Sequence, residues 1–250
     1  MAESALNVAA SFDWPLGGLD AEARRDPATH LHAYIDHTLL KPTASPADIA
    51  KVCDEAVAHR FASVCVNGCH VPLVAARLHG TGVRTCAVAG FPLGAMSSRA
   101  KAAEVATLVA DGADEVDMVL NVGLLLAGDH AAVLDDLLSV RQATLGRTLK
   151  VIFETSMLTH DAKVAACVLC RSARVDFVKT STGFGGGGAT VDDIALMRQW
   201  VGPEMGVKAS GGVRSREDAL RLIEAGATRL GTSSGVALVA GASPTSPSTY

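Results

Sequence analysis

The chain of 250 residues is 49% hydrophobic and 19% charged, which excludes an intrinsically disordered or fibrous protein and supplies enough apolar material for a large core. Its 22 Lys and Arg residues stand against 26 Asp and Glu residues, and the net charge of −4 and 4% aromatic content exclude nucleic acid as a partner. No apolar run approaches the roughly 18 to 20 residues of a spanning helix and no signal peptide is recognisable, so we expect a cytoplasmic protein with no membrane partner.

The two ends of the chain differ in composition from its middle. Residues 1–30 show no sustained hydrophobic period, and we expect an N-terminal extension that is irregular or forms a capping helix. Residues 31–241 carry the regular patterns of one domain, and residues 242–250 are rich in Pro, Ser and Thr and are expected to form a flexible tail. Whether the terminal Tyr250 folds back over a nearby site stays open at this point.

Short β-branched runs alternate in the middle of the chain with longer alanine-rich segments. Strands are predicted at residues 33–37, 63–67, 85–90, 115–121, 149–154, 175–180, 206–210 and 229–232. Helices are predicted at residues 46–59, 70–79, 98–111, 129–144, 160–172, 190–200, 215–225 and 234–240, with Ser45, Ser97 or Ser98, and Thr190 at helix starts. Eight strands, each followed by a helix, predict an α/β protein with the TIM (β/α)8 barrel architecture.

Six cysteines are few for a chain of this length, and most of them lie in apolar surroundings. We therefore expect free thiols. Cys167 and Cys170 form a CxxC pair, but no second pair has the spacing of a zinc site and the pair falls in a helical pattern. We assign both residues to core packing and expect no metal.

Ionisable residues occur in strands that a barrel buries on both faces. Strand alternation puts Asp117 opposite Val116 and Met118, so that its side chain points into the barrel lumen. Lys179 lies near the carboxyl end of the sixth predicted strand and Lys208 in the seventh, and neighbouring strands are about 4.8 Å apart. The two ammonium groups would then share a small volume, although either lysine alone could pair with a carboxylate or reach the surface.

Two such lysines have a chemical use. Ammonium groups about 4 Å apart repel by roughly 4 kcal/mol at an effective dielectric constant of ~20. We expect this repulsion to lower one lysine pKa from ~10.4 to roughly 7 to 8, where the amine can attack a carbonyl and form a Schiff base. Asp117 would oppose part of that shift and could accept and donate protons.

Glycine-bearing turns follow the sixth, seventh and eighth predicted strands. They contain Gly183, Gly211, Gly212, Gly231, Ser233 and Ser234. Glycines let backbone N–H groups approach an anion, and a short helix starting at Ser233 or Ser234 would direct its positive end toward it. We therefore predict a phosphate site, the alternative being flexible loops without a ligand. The GxGxxG pattern at 183–188 follows the sixth strand, which argues against a dinucleotide fold.

Six segments occur in order between about residues 33 and 240. They are IDHTLLKP (35–42), VCVN (64–67), GFPLG (90–94), EVDMVLNVG (115–123), FVKTSTG (177–183) and VKASGGVR (207–214). Together they resemble the deoxyribose-phosphate aldolase family. Phe184 stands where some members carry a basic residue, which bears on the strength of phosphate binding.

The resemblance implies a class I aldolase on a TIM barrel, a lyase of deoxyribose phosphate catabolism that needs no cofactor. It would cleave 2-deoxy-D-ribose 5-phosphate reversibly to acetaldehyde and D-glyceraldehyde 3-phosphate. The resemblance makes Lys179 the Schiff-base former, Lys208 the residue that lowers its pKa and exchanges protons, and Asp117 a proton donor and acceptor working with water. The glycine turns would hold the phosphate. Homo-oligomerisation is left open.

Asp36, Thr38 and Cys65 are expected to join a polar network in the lumen, with Cys65 equally explained as a small packed residue. Two other functions remain open at this stage. One is a different barrel enzyme acting on a phosphorylated sugar, either an isomerase or another Schiff-base aldolase. The other is a phosphosugar-binding regulator, which would gain nothing from an amine of low pKa.

Overall fold

A computed structural model of the protein describes Leu19 and residues 21–241. The eight strands are parallel and pair in chain order, and the first strand also pairs with the last, which closes the barrel. Helices lie between the strands along the chain. The predicted TIM barrel is therefore confirmed. The expectations for the ends of the chain, Tyr250 included, fall largely on residues outside the described part.

The strands begin and end within a few residues of their predicted positions. They are β1 (Ile35–Leu39), β2 (Ser63–Val66), β3 (Arg84–Ala89), β4 (Glu115–Val119), β5 (Thr148–Ile152), β6 (Phe177–Lys179), β7 (Gly206–Ser210) and β8 (Arg229–Thr232). The first strand starts two residues later than predicted because Leu31–Tyr34 forms a 3-10 turn. β4 ends before Asn121, whose side chain accepts a hydrogen bond from the Leu124 backbone and begins a short helix.

Ten α-helices are found in the described part of the chain. They are α1 (Ala21–Arg25), α2 (Pro46–His59), α3 (Val71–Leu78), α4 (Ser98–Ala110), α5 (Val122–Leu126), α6 (His130–Ala143), α7 (His160–Ser172), α8 (Val191–Val201), α9 (Arg216–Glu224) and α10 (Gly235–Ala240). The predicted caps at Ser45 and Thr190 are confirmed, since each side chain accepts a hydrogen bond from a backbone N–H of the first turn. No helix among the described residues is long and apolar enough to cross a membrane.

Strand alternation divides the buried residues into two regions. Outward-facing strand residues such as Val64 and Met118 pack against the helices in the main core. The inward-facing positions hold a small apolar group, Leu40, Cys65, Cys86 and Val88, and otherwise polar and charged side chains. The apolar core therefore lies between the sheet and the helices, and most of the polar and charged strand side chains lie in the lumen.

The cysteine prediction is confirmed, because all six thiols are free. Cys167 and Cys170 are buried on α7 within the main core, and burial raises the pKa of the Cys167 thiol to about 12. These two residues serve packing, as the sequence indicated.

A glycine in the loop after β3 gives a test of the fold. Gly94 has φ 66°, and an added Cβ would lie 2.1 Å from the backbone oxygen of Leu120. Gly128, between α5 and α6, has φ 75° and nothing within 4 Å of an added Cβ. We expect Gly128→Ala to cost about 1 kcal/mol from backbone strain alone, and Gly94→Ala about 2 kcal/mol more from the collision. Denaturant unfolding of both variants measures the difference, and equal losses would contradict the predicted close approach.

Candidate active site

One carboxylate in the lumen is shared by three lysines. The Asp117 carboxylate accepts hydrogen bonds from Lys179 Nζ at 2.7 Å, from Lys208 Nζ at 2.7 Å and from Lys150 Nζ at 2.8 Å. Lys179 and Lys208 are paired across β6 and β7, so their side chains start at the same height. The structure thus brings together the three residues that the sequence singled out.

Lys150 was missed in the sequence, although the reasoning that found the other lysines applies to it. It lies in β5 between Leu149 and Val151, it is fully buried, and it is paired with Asp117 across β4 and β5. Its Nζ is also 2.5 Å from Glu115 and 3.5 Å from Asp36. A lysine flanked by apolar residues within a buried strand was the available signal.

A second ionic layer lies nearer the amino ends of the strands. The fully buried guanidinium of Arg229 is 2.6 Å from Asp36 and 3.1 Å from Glu115. The Phe177 ring lies beside this layer, 5.3 Å from the guanidinium carbon and 5.9 Å from Lys150 Nζ. Asp36 also bonds to Lys208, so the upper and lower layers form one network.

Cationic groups outnumber carboxylates in this network. Four buried cationic side chains, those of Lys150, Lys179, Lys208 and Arg229, face the three carboxylates of Asp36, Glu115 and Asp117. The partly exposed Arg84 also pairs with Glu115 at 3.1 Å. Because buried ions are stable only when paired and hydrogen-bonded, each of these groups depends on the others.

Lys208 is not the lysine of the pair whose pKa is lowered. Burial by itself would lower the pKa of Lys208, but attraction by Asp117 and Asp36 outweighs burial and raises the pKa above its ordinary value. Likewise, burial alone would raise the pKa of Asp117, and the lysines hold it well below its usual range. The sequence argument considered two ammonium groups and one carboxylate, and it omitted Asp36 and Glu115.

The three weaker predictions for the lumen have different outcomes. Asp36 belongs to the ionic network and also accepts a hydrogen bond from Ser63. Thr38 is buried, but its hydroxyl donates to the backbone oxygen of Asp36, in its own strand. Cys65 lies in the lumen with its sulfur within 4.8 Å of an Asp117 oxygen, and a hydrogen bond with Cys86 lowers its pKa.

The predicted anion turns lie at the carboxyl end of the barrel. Gly183 follows β6 with φ 88°, and Gly211 and Gly212 follow β7 with φ 84° and 75°. Ser233 and Ser234 follow β8, where the Ser234 N–H donates to Thr232. Gly231 lies within β8, which has its predicted bounds, and the following helix begins at Gly235, one residue later than predicted, and spans six residues.

Glu154 is a second residue that the sequence did not reveal. It follows β5 with φ 55°, an unusual left-handed conformation for this residue type, and its side chain is 3% exposed. Its Oε2 accepts hydrogen bonds from the backbone N–H and the hydroxyl of Thr182, and an added Cβ on Gly185 would lie 2.5 Å from its carboxyl carbon. The turn after β6 is therefore folded around this carboxylate.

A cavity of about 650 Å³ opens at the other end of the barrel. It is lined by loops before the strands and by strand-start residues, among them Thr85, Glu115, Thr148 and Arg229. Barrel enzymes carry their chemistry at the carboxyl ends of the strands. Lys179, the glycine turns and Glu154 all lie at that end, so this cavity is not the reaction site.

Thiols and carboxylates that could act as metal ligands lie close together in the lumen, but the carboxylate among them already has other partners. The ligand atoms of Cys65, Cys86 and Asp117 lie within 4.8 Å of one another. However, both Asp117 oxygens already accept hydrogen bonds from lysines. A cation at this point would have to compete with fixed ammonium groups at about 3 Å.

The fold and the lysine cluster define a class of protein, namely barrel enzymes that act through groups in the carboxyl half of the lumen. Residues 31–241 match the family described as DeoC/LacD family aldolase. A deoxyribose-phosphate aldolase from Streptococcus equi subsp. zooepidemicus is 55% identical over 212 residues, which are 85% of this chain and 96% of the relative. One from Brevibacillus brevis is 56% identical over 216 residues, which are 86% and 98% of the two chains.

A solved structure of the same named activity is also similar to this chain. A tetrameric deoxyribose phosphate aldolase from Aeropyrum pernix is similar with a TM-score of 0.79 and 31% identity, covering 89% of this chain and 97% of that chain. The chain belongs to the DeoC/LacD aldolase family, and the resemblance noted in the sequence is confirmed.

The ionic network predicts how stability depends on pH. Burial alone would raise the pKa of Glu115, but Arg229 and Lys150 lower it, so its stabilising contribution is present above the unfolded value of about 4.3 and is lost as the pH falls through the lowered pKa. We expect Glu115→Gln to lower the free energy of unfolding by about 3 kcal/mol at pH 7 and by much less near pH 3.

Denaturant unfolding at the two pH values measures this effect. Glu204→Gln is the control, because Glu204 is exposed and follows α8 outside the network. A Glu115→Gln loss that is the same at both pH values would argue against the assigned ion pairs.

Proposed function

We propose that the protein catalyses the reversible cleavage of 2-deoxy-D-ribose 5-phosphate to acetaldehyde and D-glyceraldehyde 3-phosphate. The observation that carries this proposal is the contact of Lys179 Nζ with Asp117 at 2.7 Å inside the lumen of an aldolase-family barrel. Relatives more than half identical over most of this chain bear the name of that activity.

Lys179 is the proposed nucleophile. Its side chain is 4% exposed, whereas those of Lys150 and Lys208 are fully buried, so Lys179 is the lysine that a substrate reaches. Cationic groups outnumber carboxylates in the network, and Lys179 must lose a proton before it can attack a carbonyl. The free amine attacks the C1 aldehyde of the open-chain sugar, and the carbinolamine loses water to give an iminium ion.

Asp117 supports the proton transfers that follow. Its lowered pKa keeps it ionised, so it can accept, through an ordered water molecule, the proton that leaves the C3 hydroxyl. The C2–C3 bond breaks, its electron pair moves toward the iminium nitrogen, and glyceraldehyde 3-phosphate forms along with an enamine. The same proton returns through the water to C2 of the enamine, and hydrolysis of the resulting iminium ion releases acetaldehyde and restores Lys179.

Lys208 acts through its permanent charge in this proposal. Its raised pKa keeps it protonated, and it contacts the same Asp117 oxygen as Lys179. A fixed cation there stabilises the ionised carboxylate and disfavours a second positive charge nearby.

The turns around Gly183, Gly211 and Gly212, with Ser233 and Ser234, are proposed to hold the substrate phosphate through backbone N–H groups and hydroxyls. Phe184, which follows Gly183, supplies no charge and packs edge-on against Phe91 with ring centroids 5.3 Å apart. Phosphate binding here therefore depends on the shape of the turns more than on a cationic side chain at that position.

We also propose that the enzyme acts in the cytoplasm and assembles with copies of itself. Six free thiols suit a reducing compartment. The related enzyme from Aeropyrum pernix is described as a tetramer.

Borohydride reduction in the presence of acetaldehyde tests the nucleophile. The expected product is a stable ethylated amine at Lys179, located by peptide mass, because reduction traps the imine formed with the two-carbon product. Lys179→Met should give no adduct and should lower turnover by about a thousandfold or more. Lys51→Met, at an exposed lysine on α2, is the control and should retain both properties. An adduct on Lys150 or Lys208 would disprove the assignment.

Thr182→Val tests the phosphate turn. The change keeps the side-chain shape and removes the hydroxyl that bonds to Glu154, so the turn should lose its fixed geometry. We expect the KM for 2-deoxyribose 5-phosphate to rise about fivefold with kcat nearly constant, and the KM for unphosphorylated 2-deoxyribose to stay unchanged. Thr107→Val, on the exposed face of α4, is the matched control. An equal rise in KM for both sugars would contradict a role of Thr182 in phosphate binding.

A further inference from the structure

Two buried hydroxyls at the carboxyl end of the barrel lack partners among the described residues. The Ser181 and Ser210 side chains are 0% and 3% exposed, and neither Oγ has a hydrogen-bond partner there. Buried polar atoms are nearly always hydrogen-bonded, and those left over at a reaction site indicate the position of a polar ligand. Nothing in the chemistry described above uses these two groups.

Both serines lie just beyond the lysines along the chain. Ser210 is two positions after Lys208 in β7, and since side chains two apart on a strand share a face, its hydroxyl is on the lumen face, about 6.6 Å further toward the carboxyl end than the Lys208 backbone. Ser181 is two positions after Lys179, just past the end of β6. A Cβ added to Gly211 would lie 3.4 Å from the Cβ of Ser181, so Ser181 lies beside the residue that follows Ser210.

The space around Ser210 is kept open by a glycine. Gly231 is paired with Ser210 across β7 and β8, and a Cβ added to it would lie 2.6 Å from Ser210 Oγ and 3.0 Å from Lys208 Cε. Any side chain at this position would occupy the region between the serine and the lysine. Gly231, which the sequence suggested as part of the phosphate turn, therefore contributes room in the lumen.

The serines lie between the two anchored ends of the proposed substrate. C1 would be bound to Lys179, and the phosphate on C5 would lie at the turns that begin at Gly183 and Gly211, just after Ser181 and Ser210 along the chain. We propose that Ser181 and Ser210 form a subsite for the C4 hydroxyl of the substrate. One serine donates a hydrogen bond to it and the other accepts one from it.

This subsite rests on the proposed function, and it concerns a hydroxyl that does not react. The C3 hydroxyl loses its proton during cleavage and belongs next to Asp117, whereas the C4 hydroxyl only identifies the substrate. A pair of neutral hydroxyls suits that purpose, because it can bind an alcohol without abstracting its proton. The pair would favour three-carbon acceptors that carry a hydroxyl next to the aldehyde.

Addition of acetaldehyde to three acceptor aldehydes tests the subsite. D-glyceraldehyde 3-phosphate has both hydroxyl and phosphate, 3-oxopropyl phosphate has only the phosphate, and propanal has neither. Ser181→Ala and Ser210→Ala should each lower kcat/KM for glyceraldehyde 3-phosphate about tenfold and leave the other two acceptors within about twofold. Ser172→Ala, at an exposed position on α7, is the matched control and should change none of the three.

The outcomes separate this proposal from the reaction itself. Equal losses on all three acceptors, or no loss on any, would overturn the hydroxyl subsite. Borohydride trapping of acetaldehyde on Lys179 in the unmodified protein and in both variants checks the Schiff base independently, because acetaldehyde lacks the hydroxyl. Normal trapping without acceptor discrimination would reject only the subsite, whereas absence of trapping in the unmodified protein would reject the reaction.

Discussion

The rest of the site depends on one shared carboxylate. Asp117 holds three lysine ammonium groups within 2.8 Å, and it is the one carboxylate among the described residues that all three contact. The carboxylate in turn stays ionised because the lysines surround it. The amine chemistry of the barrel is therefore a property of the group of ions as a whole, and a change to one member alters the protonation of the others.

The barrel can hold this group of buried ions because its apolar core and its polar lumen are separate regions. Apolar strand residues pack outward against helices and stabilise the fold without involving the lumen. In the lumen, Arg229 pairs with Asp36 and Glu115 pairs with Lys150. Glu154 accepts hydrogen bonds from the turn that follows β6. The charged side chains around the reacting lysine are thus held by partners on different strands, which fixes their geometry more tightly than loops alone.

Much of this arrangement follows from residue order. The eight strands, Lys179, Lys208 and Asp117 could be predicted because ionisable residues stood out against apolar strand patterns. Lys150 carried the same signal and was overlooked, whereas Arg229 opens its strand and looks like an ordinary surface residue in the sequence. The pKa of Lys208 could not be predicted, since its direction depends on Asp36, about 170 residues away, reaching the same ammonium group. Glu154 was hidden because its part in the turn depends on backbone conformation.

The lower ionic layer has a consequence for the order of events. Arg229, Glu115 and Phe177 are buried side chains beneath the lysines and separate Lys179 from the cavity at the amino end, so the proposed substrate reaches Lys179 from the carboxyl end. Under the proposed chemistry the three-carbon fragment lies nearer that exit than the two-carbon fragment bound to Lys179. The phosphorylated product must therefore depart first and acetaldehyde last, and in synthesis the donor must load before the acceptor.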